Sequence, residues 1–255
     1  MAYWHRTGAH SYRPTEHVGG SWDLATQHIA PALGVLAHEV ELDRDRRRSD
    51  GLVVSRLSYD ILGTVPLEPL DVVVDVLRPG RTIELVQATA RHGGRDIVIL
   101  RAWLAEPYDT AGVAGTSLPA VPGPDELQPW DMSALWPGGF IASLELRRKE
   151  MGPGRSTSWV RTPYDLVDGE EVSRLAAVAG LLDVCNGIAV RTDPTKVLFP
   201  NLDLTAHFIS APAEGWLGLD TSVSFGRGGI GLTSTVMYDE DGPIGTVAQT
   251  LTVRP

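Results

Sequence analysis

Residues 170 to 208 read EEVSRLAAVAGLLDVCNGIAVRTDPTKVLFPNLDLTAHF, and this stretch decides the fold. Its first part predicts a helix over 170–186, because Leu175, Val178, Ala179 and Leu182 recur at three- and four-residue steps and line one face. Glu170 and Glu171 suit the start, where free N–H groups carry partial positive charge. Asp183 and Asn186 interrupt the stripe near its end, and Gly187 supplies the stop. A carboxylate and an amide at the end of an apolar helix cost free energy unless they are paired or wet. The second part predicts a strand from Leu198 to Phe208. Asn201, Asp203, Thr205 and His207 share one parity, while Leu202, Leu204, Ala206 and Phe208 share the other. On the residues alone, a functional site and an ordinary half-exposed strand after a capped helix both account for this polarity.

Working outward, residues 10–28 are rich in turn formers. IAPALGVLAHEVEL then predicts a helix from about Ala30 to Leu42, with Pro31 in its first turn, closed by the charged turn DRDRRRSDG. Arg46, Arg47 and Arg48 lie among aspartates there, so a solvated loop is the default and an anion-binding patch the alternative. From Leu52 four runs, VVSRLSYDIL, LDVVVDVLR, TIELVQATARH and DIVILRAWLAE, predict strands separated by Pro and Gly turns. Connections this short make an antiparallel meander that needs a helix to cover one face.

Periodicity is lost between residues 109 and 139, where Pro119, Pro122, Pro124, Pro129 and Pro137 mark a linker. After it the order repeats: strands over FIASLELRRKE and STSWVRTPY, the 170–186 helix, and four more strand-like runs. The repeat has a register, since Ile83, Leu85 and Ile97 meet Ile230, Leu232 and Ile244 at one offset (230 − 83 = 147). The expected architecture is α+β, with two copies of a helix wrapped by an antiparallel sheet: residues 1–112, a proline-rich linker over 113–137, and residues 138–255.

Composition narrows the function. A chain of 255 residues with 43% hydrophobic and 21% charged residues is globular in type. It has no apolar run near the roughly 20 residues of a membrane span, and the start lacks the features of a signal peptide, so a cytoplasmic location is expected. A net charge of −10 speaks against nucleic acid or anionic membrane as a partner. The single cysteine, Cys185, excludes an internal disulfide and a cysteine-rich zinc site; without a neighbouring base it reads as a small buried side chain.

A long helix clasped by an antiparallel sheet, in tandem, resembles the TesB-like (thioesterase II type) double-hotdog acyl-CoA thioesterases. The likeness covers nearly the whole chain. LLDVCNG, FPNLDLTAHF, EGWLGLD and GIGLTSTVMYDEDGPIGTVAQTL carry it best, and RPTEHVGGSWDLATQH resembles the family's opening segment. The resemblance implies two tandem hotdog units, an acyl-CoA substrate, neither cofactor nor metal, and at least a homodimer. It also implies hydrolysis by water, assisted by Asp183, Asn201 and Gln249. Those types suit the chemistry, which needs an oriented water, a group to take its proton and donors for the oxyanion. Without the resemblance, Gln249 reads as a polar residue on a solvated strand face. His28 and Asn186 are further candidates for substrate contact, with Arg78, Arg81 and Arg227 for the CoA phosphates.

Two departures from the family are visible: His28-Ile29-Ala30 stands where His-Gly-Gly is usual, and Ile209-Ser210 where a histidine and an arginine are usual. One rival is a hotdog enoyl-CoA hydratase, for which Asp23 and His28 have the five-residue spacing but Ala25 and Thr26 replace the Asn and Pro between them. Another is a catalytically silent acyl-binding protein. A serine esterase lacks support, because GGSWD around Ser21 does not complete a Gly-x-Ser-x-Gly elbow.

Overall fold

The computed structural model describes residues 1–20 and 22–255, so Ser21 lies outside the described residues. In the first half, β1 (Ala2–Arg6) and β2 (Ser11–Pro14) precede α1 (Ile29–Arg47), β3 (Val53–Ile61), β4 (Leu70–Arg78), β5 (Ile83–His92) and β6 (Arg95–Ala105). A connecting segment carries β7 (Gln128–Pro129), and a helical turn α2 (Gly139–Ala142) leads into β8 (Glu145–Gly152), β9 (Arg155–Arg161) and β10 (Asp165–Val167). Then come α3 (Arg174–Ala179), α4 (Cys185–Ile188), β11 (Asp203–Phe208), β12 (Leu217–Phe225), β13 (Ile230–Asp239) and β14 (Gly242–Thr252).

The fourteen strands form one sheet, ordered β10-β1-β2-β4-β5-β6-β3-β11-β14-β13-β12-β9-β8-β7. Neighbours are antiparallel except β1 and β10, which run parallel. The halves fuse where β3 pairs with β11, for example Ser58 opposite Thr205, whose hydroxyls lie 2.9 Å apart. The repeat is preserved in this sheet: β4, β5 and β6 begin and end 147 residues before β12, β13 and β14 (217 − 70, 230 − 83 and 242 − 95).

Helix α1 is the centre of the first half, with every residue from Ala30 to Val40 buried. It runs five residues past the expected end at Leu42. The charged segment predicted as a turn stays helical because its side chains pair on the helix surface: Arg47 donates to Asp43 at 2.7 Å, one turn back, and to Glu84 at 2.8 Å.

The second helix departs from expectation in the other direction. Instead of one helix over 170–186 there is α3, capped by Ser173 (Oγ accepts from Ala176 N, 3.1 Å), then a 3-10 turn over Leu182–Val184, then α4. Glu170 lies outside the helix and binds Arg6 and His38 instead. The break falls at a close contact: a Cβ on Gly34 would lie 3.0 Å from the Gly180 Cα, so α1 and α3 cross backbone to backbone. Gly187, predicted as a stop, lies inside α4, where a Cβ would come 2.7 Å from Met132 Cε.

Three further expectations need correction. Phe140 and Ile141 form a helical turn, not the start of a strand, which buries both neighbours where strand alternation would expose one. The Leu198 strand begins only at Asp203, with Asn201 bridged singly to Leu251. The proline-rich segment is more than a tether, since Met132 and Trp136 are buried in the main core.

Closeness at the helix crossing is testable. Gly34→Ala would press its methyl on Leu166 Cδ1 (2.9 Å), the Ala176 carbonyl (3.0 Å) and Gly180. Overpacking against backbone costs about 1–3 kcal/mol. A thermal melt should show a Tm several degrees lower with the cooperative transition retained; an unchanged Tm would mean that the helices separate freely.

Candidate active site

Asp183 occupies the 3-10 turn between α3 and α4 and is 7% exposed. The break at Gly180 places it there, on the inner side of the sheet, where β14 and the segment before β11 reach it. Its Oδ1 accepts from Asn201 Nδ2 at 2.7 Å and from Gln249 Nε2 at 2.9 Å. Its Oδ2 faces His28 Nδ1 at 3.9 Å, too far for a hydrogen bond. Burial raises the Asp183 carboxyl to about 7, against the two amide hydrogen bonds, which favour the ionised form.

His28 comes from the other half. It is the N-cap of α1, its Nδ1 accepting from Ala30 N at 3.2 Å, so the ring carries its proton on Nε2. Burial lowers its pKa to about 3, and the ring packs against Phe140 at 4.4 Å between centroids. The imidazole is therefore neutral across the physiological range. Because Nδ1 caps Ala30 and Pro31 has no N–H, the backbone N–H of Ile29 is left for a ligand at this helix start.

A cavity of about 480 Å³ opens between the halves, and His28, Ile29, Asp183, Asn186 and Asn201 all line it. Gln249 is 1% exposed and lies behind Asp183, which it supports from β14. The sequence expectation that Asn201 would offer its amide to an oxyanion needs revision: its Nδ2 serves Asp183 and, at 3.3 Å, the Asp203 carbonyl. Asn186, 6% exposed and one turn after Asp183, presents its amide to the cavity.

Arg78, Arg81 and Arg227 do not line this cavity; Arg78 donates instead to the Ile83 carbonyl at 3.0 Å. Among the described residues the one arginine or lysine on its wall is Arg254, next to the last strand, where no motif marks it. Sequence reasoning also missed the aromatic wall. Trp22 meets Trp136 at 4.7 Å and Phe199 at 5.1 Å, edge to face, and Trp136 Nε1 donates to the Gly187 carbonyl at 3.1 Å. Trp136 lies in the segment whose prolines concealed it.

The alternative pair, Asp23 and His28, also lines the cavity. Asp23 is exposed and accepts from Ala25 N at 2.9 Å, closing its own turn, while the Nδ1 of His28 is engaged by the helix. No hydrogen bond joins the two among the described residues.

Comparisons with known proteins bear on the family and the fold. The family model for the acyl-CoA thioesterase C-terminal domain matches residues 118–253, and that for the N-terminal domain matches residues 18–105. None of the curated proteins is similar enough to match. Among solved structures, a conserved protein of unknown function with a hot dog fold from Alicyclobacillus acidocaldarius superposes with a TM-score of 0.75 at 13% identity, covering 98% of this chain and 95% of that one. Acyl-CoA thioesterase II TesB2 from Mycobacterium marinum gives 0.69 at 20% identity, covering 98% and 95%. The tesB protein of Mycobacterium avium subs paratuberculosis gives 0.66 at 19%, covering 99% and 96%. At these identities the likeness shows the fold, a double hotdog.

The buried carboxylate carries a stability signature. Asp183 titrates near 3.8 when unfolded and near 7 when folded, so the folded state holds the extra proton between those values. Its contribution is complete below pH 3.8 and is lost as pH rises to about 7, by about 4 kcal/mol at most. Asp183→Asn keeps an Oδ1 that can accept from both amides and carries no charge. Its Tm should exceed that of the wild type at pH 8, with the gap closing by pH 4. Equal Tm values at pH 8 would show that burial does not raise this carboxyl.

Proposed function

The chain belongs to the acyl-CoA thioesterase family, and from that membership we propose that it hydrolyses an acyl-CoA to free acid and CoA by direct attack of water, with Asp183 as the base. The observation that carries this reading is the division of labour within one carboxylate: Oδ1 is held by Asn201 and Gln249, and Oδ2 faces the cavity. A carboxylate poised near neutrality can both orient a water and accept its proton.

In the proposed reaction, a water held by Oδ2 loses a proton to Asp183 as its oxygen bonds to the thioester carbonyl carbon. The oxyanion accepts from the Ile29 N–H at the start of α1 and from the Asn186 amide. Collapse breaks the carbon–sulfur bond, and the proton passes from Asp183 to the departing thiolate. His28 stays neutral and fixes the helix start. Arg254 is the candidate partner for the CoA phosphates, with Trp22 and Trp136 against the apolar part of the substrate.

We extend the reading to a homo-oligomer. The sheet ends in β7 and β10, whose outer edges have no further strand among the described residues. Among those residues no helix is long and apolar enough to cross a membrane. The acyl-CoA substrate favours a cytoplasmic location.

Thiol release from a panel of acyl-CoAs, followed with a thiol-reactive dye, tests the reading. Activity should rise with pH through about 7, because the base must be ionised. Asp183→Asn should lower kcat by roughly 10²-fold or more. Asn186→Ala should lower kcat by roughly 10²-fold, the scale of one lost oxyanion donor. If no acyl-CoA releases thiol and an enoyl-CoA is hydrated instead, with dependence on His28 and Asp23, the hydratase reading replaces this one.

A further inference from the structure

Gln249 has a constrained orientation. An ionised carboxylate can only accept hydrogen bonds, so the amide nitrogen must face Asp183, and the carbonyl Oε1 is turned away into the protein. There it is buried, with no hydrogen-bond partner among the described residues. A carbonyl in that position favours a flip of the amide, because a protonated Asp183 could then donate to it. The ionisation of Asp183 and the direction of the Gln249 amide are thus one equilibrium.

The neighbouring strand carries the group that can bias this equilibrium. Thr233 on β13 is the register partner of Gln249 on β14, and both side chains point to the inner face. Its Oγ1 is also buried without a partner, on a side chain that is 0% exposed. The next inward hydroxyl, Thr235, is already engaged with Thr221 at 2.9 Å. Directly opposed residues have Cβ atoms about 5 Å apart, a gap closed by a small rotation or by one bridging water. A carbonyl lacking a donor and a hydroxyl lacking an acceptor thus belong to directly paired residues.

We infer that Thr233 is a positioning residue: its hydroxyl holds the Gln249 carbonyl, directly or through one water, and so keeps the amide nitrogen on Asp183. The inference rests on the reading of Asp183 as the base. Thr233 acts through Gln249 and touches no substrate. The other titratable or charged groups around Asp183 are His28 from the start of α1, Cys185 on its own segment, and Asp23 and Arg254, which line the same cavity; of these Cys185 packs on Thr235, the next inward residue of β13.

The test follows the Asp183 carboxyl directly by carbon-13 NMR of aspartate-labelled protein, with Asp183→Asn to assign the signal, alongside pH profiles of acyl-CoA hydrolysis. Thr233→Val keeps the shape and removes the hydroxyl. Its Asp183 midpoint should move up by about one unit, the scale of a weakened hydrogen bond to a charged group. Its kcat should fall about tenfold on the acid side, since a rise of one unit in pKa leaves about a tenth as much base ionised as in the wild type, and should recover at high pH with KM unchanged. Thr233→Ser should restore the wild-type midpoint. Thr233→Ala carries the same expectation and serves if the valine protein does not fold. An unmoved midpoint, or a serine variant that behaves like valine, would overturn the inference. If the midpoint moves but the wild type releases no thiol from any acyl-CoA, the coupling stands and the thioesterase reading fails.

Discussion

The structure depends on how closely its two halves approach. At Gly34 and Gly180 the helices α1 and α3 touch through backbone, and a Cβ on Gly34 would lie 3.0 Å from the Gly180 Cα. On the other side of this contact β3 and β11 pair and turn two half-sheets into one. Backbone contact and strand pairing act together, because a side chain at Gly34 would press α1 away from α3 above the sheet they cover. The cavity lies along this seam, with His28 and Ile29 from the first half facing Asp183 and Asn186 from the second. Neither half holds the site alone.

The repeat is close in backbone and unequal in chemistry. At the offset that superposes β4, β5 and β6 on β12, β13 and β14, Gln249 corresponds to Ala102 and Asn201 to Val54, both buried and apolar. The helix starts differ in the same sense. His28 caps α1 beside Asp183, whereas Ser173 caps α3 and donates to Glu41. One half keeps the amides that hold a carboxylate, while the other fills the matching positions with hydrocarbon that stabilises the core.

The strands were legible because each is a run of β-branched and aliphatic residues bounded by Gly or Pro, and the boundaries of β4, β5 and β6 are close to the expected ones. Asp183, Asn201 and Gln249 could be named because the motifs around them resemble a family; periodicity alone would have left Gln249 on a solvated face, and it is 1% exposed. What stayed hidden was set by tertiary contact. The helix ends at Gly180, against a partner 146 residues earlier (180 − 34) that no local window can see. Arg254 and Trp136 reach the cavity from segments with no periodic signal, whereas Arg78 stood beside a turn and turned out to brace it. The choice among surface arginines is a question of distance in space, and spacing in sequence does not answer it.

Two buried carboxylates show what the fold does with charge. Glu39 is 0% exposed, and burial alone would raise its pKa, but hydrogen bonds from Tyr12, Arg6 and His10 outweigh this and hold it below the usual carboxylate range. It ties the β1–β2 hairpin to α1. Asp183 is also buried, yet its hydrogen-bond donors are two neutral amides, and the nearby imidazole is kept neutral by its own burial. Without a cation in contact, desolvation prevails and the carboxyl moves to about 7. Both groups are buried, but three donors, among them the Tyr12 hydroxyl and the Arg6 cation, outweigh desolvation at Glu39, whereas two neutral amides do not outweigh it at the more deeply desolvated Asp183.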